Sequence, residues 1–241
     1  MNIEIKSIVV DTLNTIQDNQ YTEDAKSVIQ QSTWKDYGID LNGFINFLVK
    51  SGFELVFIIG EPGTGKSFGM KTLKPKEFIW FNTDHKNSSW QITKEFYEAY
   101  GTRTDPKDFM RLPTTYKEIT STITALAKGV DTKEGKIKLS NSPVAFLLGH
   151  PEEYRVNEQV KRRLRTLGKL SSKLGLEGKS LYTFYTQVVT NFKGVSEFLL
   201  TTQNSGFDTA RTPEGLFPPS IKNDFQFILN SIQTRNQNPF S

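Results

Sequence analysis

Two hydrophobic rhythms alternate along the chain. Short, nearly continuous apolar runs recur at EIKSIVV (4–10, ending at Asp11), FELVFII (53–59), EFIWF (77–81) and PVAFLLG (143–149). Runs this short and this apolar predict strands buried on both faces. Between them the spacing lengthens to that of a helix. LNGFINFLVKSG sets Leu41, Phe44, Ile45 and Leu48 on one face. A second helix is predicted from a cap at Ser89 through Tyr100, with Trp90, Phe96 and Tyr97 among its apolar positions. A third runs over 114–128 with Tyr116, Ile119, Ile123 and Leu126.

The remaining segments are polar or mixed. DTLNTIQDNQYTED reads as loop and polar helix, and DTKEGKIKLSNS (131–142) as an exposed loop. A long basic helix or helix pair is predicted from about Asn157 to Leu174. SLYTFYTQVV and GVSEFLLTTQ flank the turn NFKG, the pattern of an antiparallel hairpin. SIKNDFQFILNSI closes as a helix with Ile221, Phe225, Ile228 and Ile232 at helical spacing. Together these predict an α/β fold: a mostly parallel sheet with helices on both faces, completed by the C-terminal hairpin and helix of 180–235. No linker-like stretch interrupts it, and 241 residues suit one domain, 1–241.

One junction carries chemistry. The strand FELVFIIG runs into GEPGTGKS, and KSFGMKTL begins the helix expected after it. Gly60, Gly65, Lys66 and Ser67 satisfy GxxxxGK[ST] in strand–loop–helix context. The glycines let the backbone of Gly60, Glu61, Pro62, Gly63, Thr64, Gly65, Lys66, Ser67 and Phe68 curl so that successive amides face phosphate oxygens. Lys66 is placed to reach the β- and γ-phosphates and the Ser67 hydroxyl to hold Mg²⁺. LEGKS (176–180) lacks the distal glycine and is set aside.

Hydrolysis also needs a carboxylate at the metal shell and a group that orients water. SIVVD delivers Asp11 at the end of a buried strand, the form of a Walker B acid and a second metal ligand. Asp84, past EFIWF, is the candidate general base; His150, past PVAFLLG, is a candidate sensor of the γ-phosphate, with Glu152 and Glu153 close behind. In a parallel sheet all these strand ends share one edge.

Composition changes this picture little. The absence of cysteine excludes a disulfide framework and thiolate metal sites, and two histidines leave little scope for zinc. No apolar stretch approaches a membrane span and MNIEIKSIVV lacks a signal-peptide layout, which points to an intracellular location. The net charge of +4 matters through its distribution. Arg155, Lys161, Arg162, Arg163, Arg165, Lys169, Lys173 and Lys179 crowd 155–179, a segment able to track phosphates, and Tyr182, Phe184 and Tyr185 come next, expected in the core first and as stacking rings second.

GEPGTGKS, IKSIVVDTLNTIQ, a strand followed by GHPEEY, and TTQNSGFDTARTPEGLFPPSIKNDF together resemble RecA-like P-loop ATPases. The likeness is strongest to the phage-encoded, AAA-like group related to Sak-type single-strand-annealing proteins, and it covers most of the chain. It implies a RecA-type core, ATP with Mg²⁺, a ring or filament of subunits, and work on single-stranded DNA in phage recombination or replication, in the host cytoplasm. In that light Lys66 and Ser67 match the Walker A pair, Asp11 the Walker B acid, Asp84 the carboxylate after the second strand and His150 the strand-end sensor. Arg211, in TARTPEG, resembles an arginine finger for a neighbouring subunit. A nucleotide-dependent binding module with little turnover, regulatory or virion-associated, and a small-molecule kinase share the same loop. No NKxD-type guanine loop is present, which favours ATP over GTP.

The chain departs from the family in one respect, for the Walker B strand precedes the phosphate loop. The junctions FELVFIIG–EPGTGKS and SPVAFLLG–HPEEY have the same form, and exchanging the segments after the two glycines restores the family order. The strand order is therefore expected to be permuted, or to cross between two strands that are neighbours in the sheet.

Overall fold

In the computed structural model, which describes residues 2–11, 13, 40–88, 90–132, 135–165 and 176–238, the apolar runs form the middle of a nine-stranded sheet. Four parallel strands stand side by side in the order β2 (Glu54–Ile59), β8 (Gly135–Gly149), β1 (Asn2–Asp11) and β3 (Phe78–Asn82). β6 (Met110–Arg111) adds in parallel beyond β3, and β11 (Tyr182–Thr190) beyond β2. Past β11 the sheet turns antiparallel through β12 (Ser196–Thr201) and β13 (Ser220–Lys222). A small pair, β4 (Gly101–Thr102) and β5 (Asp105–Pro106), lies apart. The chain is thus a mixed α/β protein with a mostly parallel central sheet, compatible with a Rossmann-like or P-loop fold.

Helices cover both faces. The register Trp80–Val9–Phe146 puts these side chains on one face. There Trp80 meets Phe96 of α2 (Lys94–Tyr100), and Phe146 stacks on Phe225 of α4 (Phe225–Gln237) at 4.6 Å. α1 (Leu41–Lys50) and α3 (Tyr116–Lys128) pack on each other through Phe44 and Tyr116 and against β2 and β8. They connect strands in the opposite direction across the sheet, so right-handed crossovers place them on the other face. The buried positions of α1 are Leu41, Phe44, Ile45 and Leu48, the four its spacing selects. Asp40, Thr93, Thr115 and Asp224 cap the four helices by accepting a backbone N–H three residues on.

Several expectations are corrected. Residues 131–142 are mostly strand: β7 (Val130–Thr132) pairs antiparallel with the first part of β8. The basic stretch after His150 begins as a hairpin, β9 (Pro151–Val156) with β10 (Gln159–Leu164), where a helix was expected from residue 157. Asn157 and Glu158 both take positive φ, 47° and 66°, as the two central residues of a type I′ turn do. Val160 and Leu164, four apart, imitate a helical face, and Asn-Glu is not the usual turn signature. α2 starts at Lys94 under a Thr93 cap; Ser89 lies outside the described residues. Ile221 belongs to β13, ahead of the last helix. Apart from Asp11 and Leu13, the expected loop and polar helix DTLNTIQDNQYTED also lies outside the described residues. Among the described residues no helix is long and apolar enough to cross a membrane.

Candidate functional site

The ends of β2 and β8 lie level, with Ile59 beside Gly149, and the Gly60 N–H donates to the Gly149 carbonyl at 3.1 Å. The two junctions of like form are therefore adjacent on one sheet edge. From Gly60 the chain makes a turn closed by Thr64 N–H to the Glu61 carbonyl (3.3 Å), then a second by Phe68 N–H to the Gly65 carbonyl (2.9 Å). Gly63 and Gly65 sit at φ of 78° and 85°, on either side of Thr64. Two left-handed glycines one residue apart give the loop the tight curl from which an anion nest is built. The loop then passes into a 3-10 helix, Lys66–Thr72, where a full α-helix was expected. At seven residues this helix is short, so positive potential at the loop comes from local amides and Lys66 rather than from a long helix dipole.

The loop is held from outside. A Cβ on Gly60 would run into the Thr186 hydroxyl, and one on Gly65 into the Phe198 ring. The Thr64 and Thr186 hydroxyls are 2.5 Å apart. Asn223, buried at 4% exposure, donates from Nδ2 to the Gly65 carbonyl at 2.5 Å. Thr186, Phe198 and Asn223 come from β11, β12 and the end of β13. Sequence reasoning missed all three, because no spacing motif links them to a loop more than a hundred residues earlier.

Lys66 is only 9% exposed, and its Nζ donates to the carbonyls of Gly60 (2.8 Å) and Glu61 (3.0 Å). It stands 3.4 Å from His150 Nδ1. Burial lowers the Lys66 pKa, opposed by the charges of Asp11, Glu61 and Asp84. Burial, then the Lys66 charge, lowers that of His150 from its usual 6.5, so its imidazole is neutral at pH 7. Asp84 pairs with Lys86 at 3.3 Å. Asp11 is level with Asn82 in β3, and β8 alone separates β1 from β2. Two strand spacings, about 10 Å, therefore lie between the strand that ends at Asp11 and the strand that feeds the loop. Ser67 and Phe68 come after Lys66, half-buried in the 3-10 helix, while Glu61, Pro62 and Gly63 form the exposed crest.

The structure thus brings Lys66, His150, Asp84, Asp11 and Glu61 within electrostatic reach of one another at the loop. It does not bring Arg211 there. Arg211 bridges Thr183, in the register row of Phe57, and its guanidinium donates to the carbonyls of Glu177 and Ser180, toward the opposite end of β2. The three rings after the basic segment are core residues, the first of their two expected roles. Tyr182 and Phe184 are fully buried, and the Tyr185 hydroxyl, bound to Thr209 and the Arg162 carbonyl, ties β11 beneath the basic hairpin. In that hairpin Arg155, Arg162 and Arg165 are exposed, whereas Arg163 pairs with Glu152 at 2.7 Å. Lys179 is spent on Asn42 and Asn46 of α1. Lys169 and Lys173 lie outside the described residues.

Among the described residues no three His, Asp or Glu side chains gather as a ready metal cluster. The oxygens near the loop, from Ser67, Asp11 and Asp84, are hard donors, which suit Mg²⁺ completed by phosphate and water rather than a protein-only cage. No protein-family model, curated protein or solved structure matches the chain.

Proposed function

We propose that the chain is a RecA-like P-loop ATPase that binds ATP with Mg²⁺ at Gly60–Phe68 and works on single-stranded DNA. The observation that carries this reading is the lysine inside its own loop. Lys66 spends two of its three N–H donors on the carbonyls of Gly60 and Glu61, which fixes the ammonium within the curl of the nest. An ammonium so held is preorganised for a triphosphate and loses little entropy on binding it. Burial makes it costly when unpaired and so raises its gain from an anion.

Ser67 and Asp11 would hold Mg²⁺, which supplies neutralising charge along the triphosphate when bound. The nest amides and Lys66 bind and orient the phosphates. Neutral His150, level with Gly60 and facing Lys66, accepts or donates a hydrogen bond at the γ-phosphate without adding charge. Asp84, at the same edge, takes a proton from the attacking water. The hairpin β9–β10 springs directly from His150, and Arg165 N–H donates to the His150 carbonyl at 2.7 Å. Phosphates of a nucleic-acid strand on Arg155, Arg162 and Arg165 therefore pull on the residue that faces the triphosphate.

The test is the ATPase rate with and without single-stranded DNA, for the wild type and Lys66→Ala. The proposal expects turnover that DNA stimulates and Lys66→Ala abolishes. Tight ATP retention without phosphate release would favour a nucleotide-dependent binding module, and transfer of label to a metabolite a kinase. Absence of DNA stimulation together with absence of DNA binding at low salt removes the DNA part.

A further inference from the structure

The hairpin that clamps the loop also leaves the molecule. β11 pairs with β2 only over Tyr182–Tyr185, while Thr186–Thr190 pair with β12 alone, so the outer half stands clear of the sheet. Its tip is a built turn. Asn191 Oδ1 accepts the N–H of Lys193 (2.9 Å) and Val195 (3.1 Å), Asn191 N–H donates to the Val195 carbonyl, and Gly194 takes φ of 74°. This rigid turn presents Phe192 at 99% exposure, with Val195 at 56% and Val188 and Val189 behind it. Phe192, Val195 and the two valines form one exposed apolar cluster, and such a patch marks a contact surface. Between Thr186 and Phe198 the only charges are Lys193 and Glu197, which cancel, so the arm offers a phosphate backbone little.

The complementary shape is on the same chain. A cavity of about 900 Å³ opens between the 3-10 helix and the segment leading into α2, walled by Phe68, Leu73, Trp90, Ile92 and Phe96 with Glu95 beside them. Lys71 sits 3.5 Å over the Phe68 ring, a cation that a second ring can share. The arm does not fill its own cavity. Phe198 packs on Phe68 at 4.7 Å from within the hairpin, while Phe192 stands in solvent at its tip.

We propose that Phe192 of one copy enters the Phe68–Trp90–Phe96 cavity of a second copy, with Lys193 set against Glu95. Knob and hole are different surfaces, so the contact is head-to-tail and repeats into a ring or filament. The contact rests on the arm and the cavity alone and goes beyond the proposed function. Since Phe68 walls the cavity and Phe198, Thr186 and Asn223 brace the loop, each neighbour's tip bears on the phosphate site next to it.

The test is sedimentation velocity on the full chain, with Phe192→Asp (knob lost), Ile92→Asp (hole lost) and their mixture. The wild type should self-associate. Phe192→Asp should weaken this roughly thirtyfold or more, as loss of a buried aromatic anchor does. The mixture should form one-to-one pairs that grow no further, since it retains one intact knob and one intact hole. If Ile92→Asp does not fold, Lys193→Glu and Glu95→Lys take its place: each alone should weaken assembly and the double variant restore it. A monomeric wild type, or a Phe192→Asp variant that assembles like the wild type, overturns the proposal. Mg–ATP titration of the Phe192→Asp monomer keeps the two readings apart, because pairing without nucleotide binding sinks only the ATPase, and nucleotide binding without pairing sinks only the interface.

Discussion

Lys66, His150 and Asn223 show how much of the site depends on single side chains. Replacing Lys66 by alanine removes a buried cation whose pKa is already lowered by desolvation. Folding should suffer little, within about 1 kcal/mol, while nucleotide affinity collapses; thermal melting with and without Mg–ATP separates the two effects. Asn223→Ala leaves the Gly65 carbonyl without its side-chain donor. One lost hydrogen bond in a buried setting is worth about 1–2 kcal/mol, so ATP affinity should fall roughly five- to thirtyfold. Asn223→Asp, which keeps the shape but not the donor, should behave as badly. His150 gives the pH dependence. Its folded pKa lies below the unfolded value of 6.5, so the unfolded chain binds its proton first. The contribution of the neutral imidazole is complete above that value and is lost as pH falls from there through the depressed one. His150→Gln should flatten this acid limb of stability, measured by thermal melting across the window.

At the scale of elements, the β9–β10 hairpin is the most informative piece. Glu158 occupies a left-handed position where glycine is at home, so Glu158→Gly should stabilise the hairpin by about 0.5–1 kcal/mol and slow hydrogen exchange at the amides of β9 and β10. Charge reversal at exposed Arg155 and Arg162 should weaken single-stranded DNA binding and flatten its salt dependence. The same hairpin shows where the sequence was legible. FELVFII, EFIWF and PVAFLLG read as buried strands because both faces of the central sheet are covered, and α1 because its apolar face is complete. The basic segment misled because Val160 and Leu164 fall at helical spacing by coincidence, and residues 131–142 because a polar edge pairing has no hydrophobic alternation to advertise it. Of the site, the nest and the strand-end residues Asp11, Asp84 and His150 were readable, since loop chemistry and strand ends are local. Thr186, Phe198 and Asn223 were not, because their roles arise only when β11, β12 and β13 fold beside the loop. The hold of the Glu177 and Ser180 carbonyls on Arg211 was not readable either, because sequence cannot show carbonyls waiting for a guanidinium.

On the scale of the whole molecule, the order β11-β2-β8-β1-β3 explains how a chain whose Asp11 strand precedes the Gly60–Phe68 loop still gathers these residues at one edge. Parallel strands deliver all their C-terminal ends to one edge, whatever the order in which the chain visits them. That edge exists only while the helices hold both faces of the sheet. Phe146→Ala, which empties the stack against Phe225, should cost about 3–5 kcal/mol in a denaturant titration. Every role proposed at this edge requires a triphosphate seated at Gly60–Phe68. Isothermal titration of Mg–ATP into the wild type and into Lys66→Ala tests this most directly: saturable one-to-one binding that the substitution abolishes is the predicted result, and a wild type that takes up no nucleotide, or a variant that binds it equally well, would contradict it.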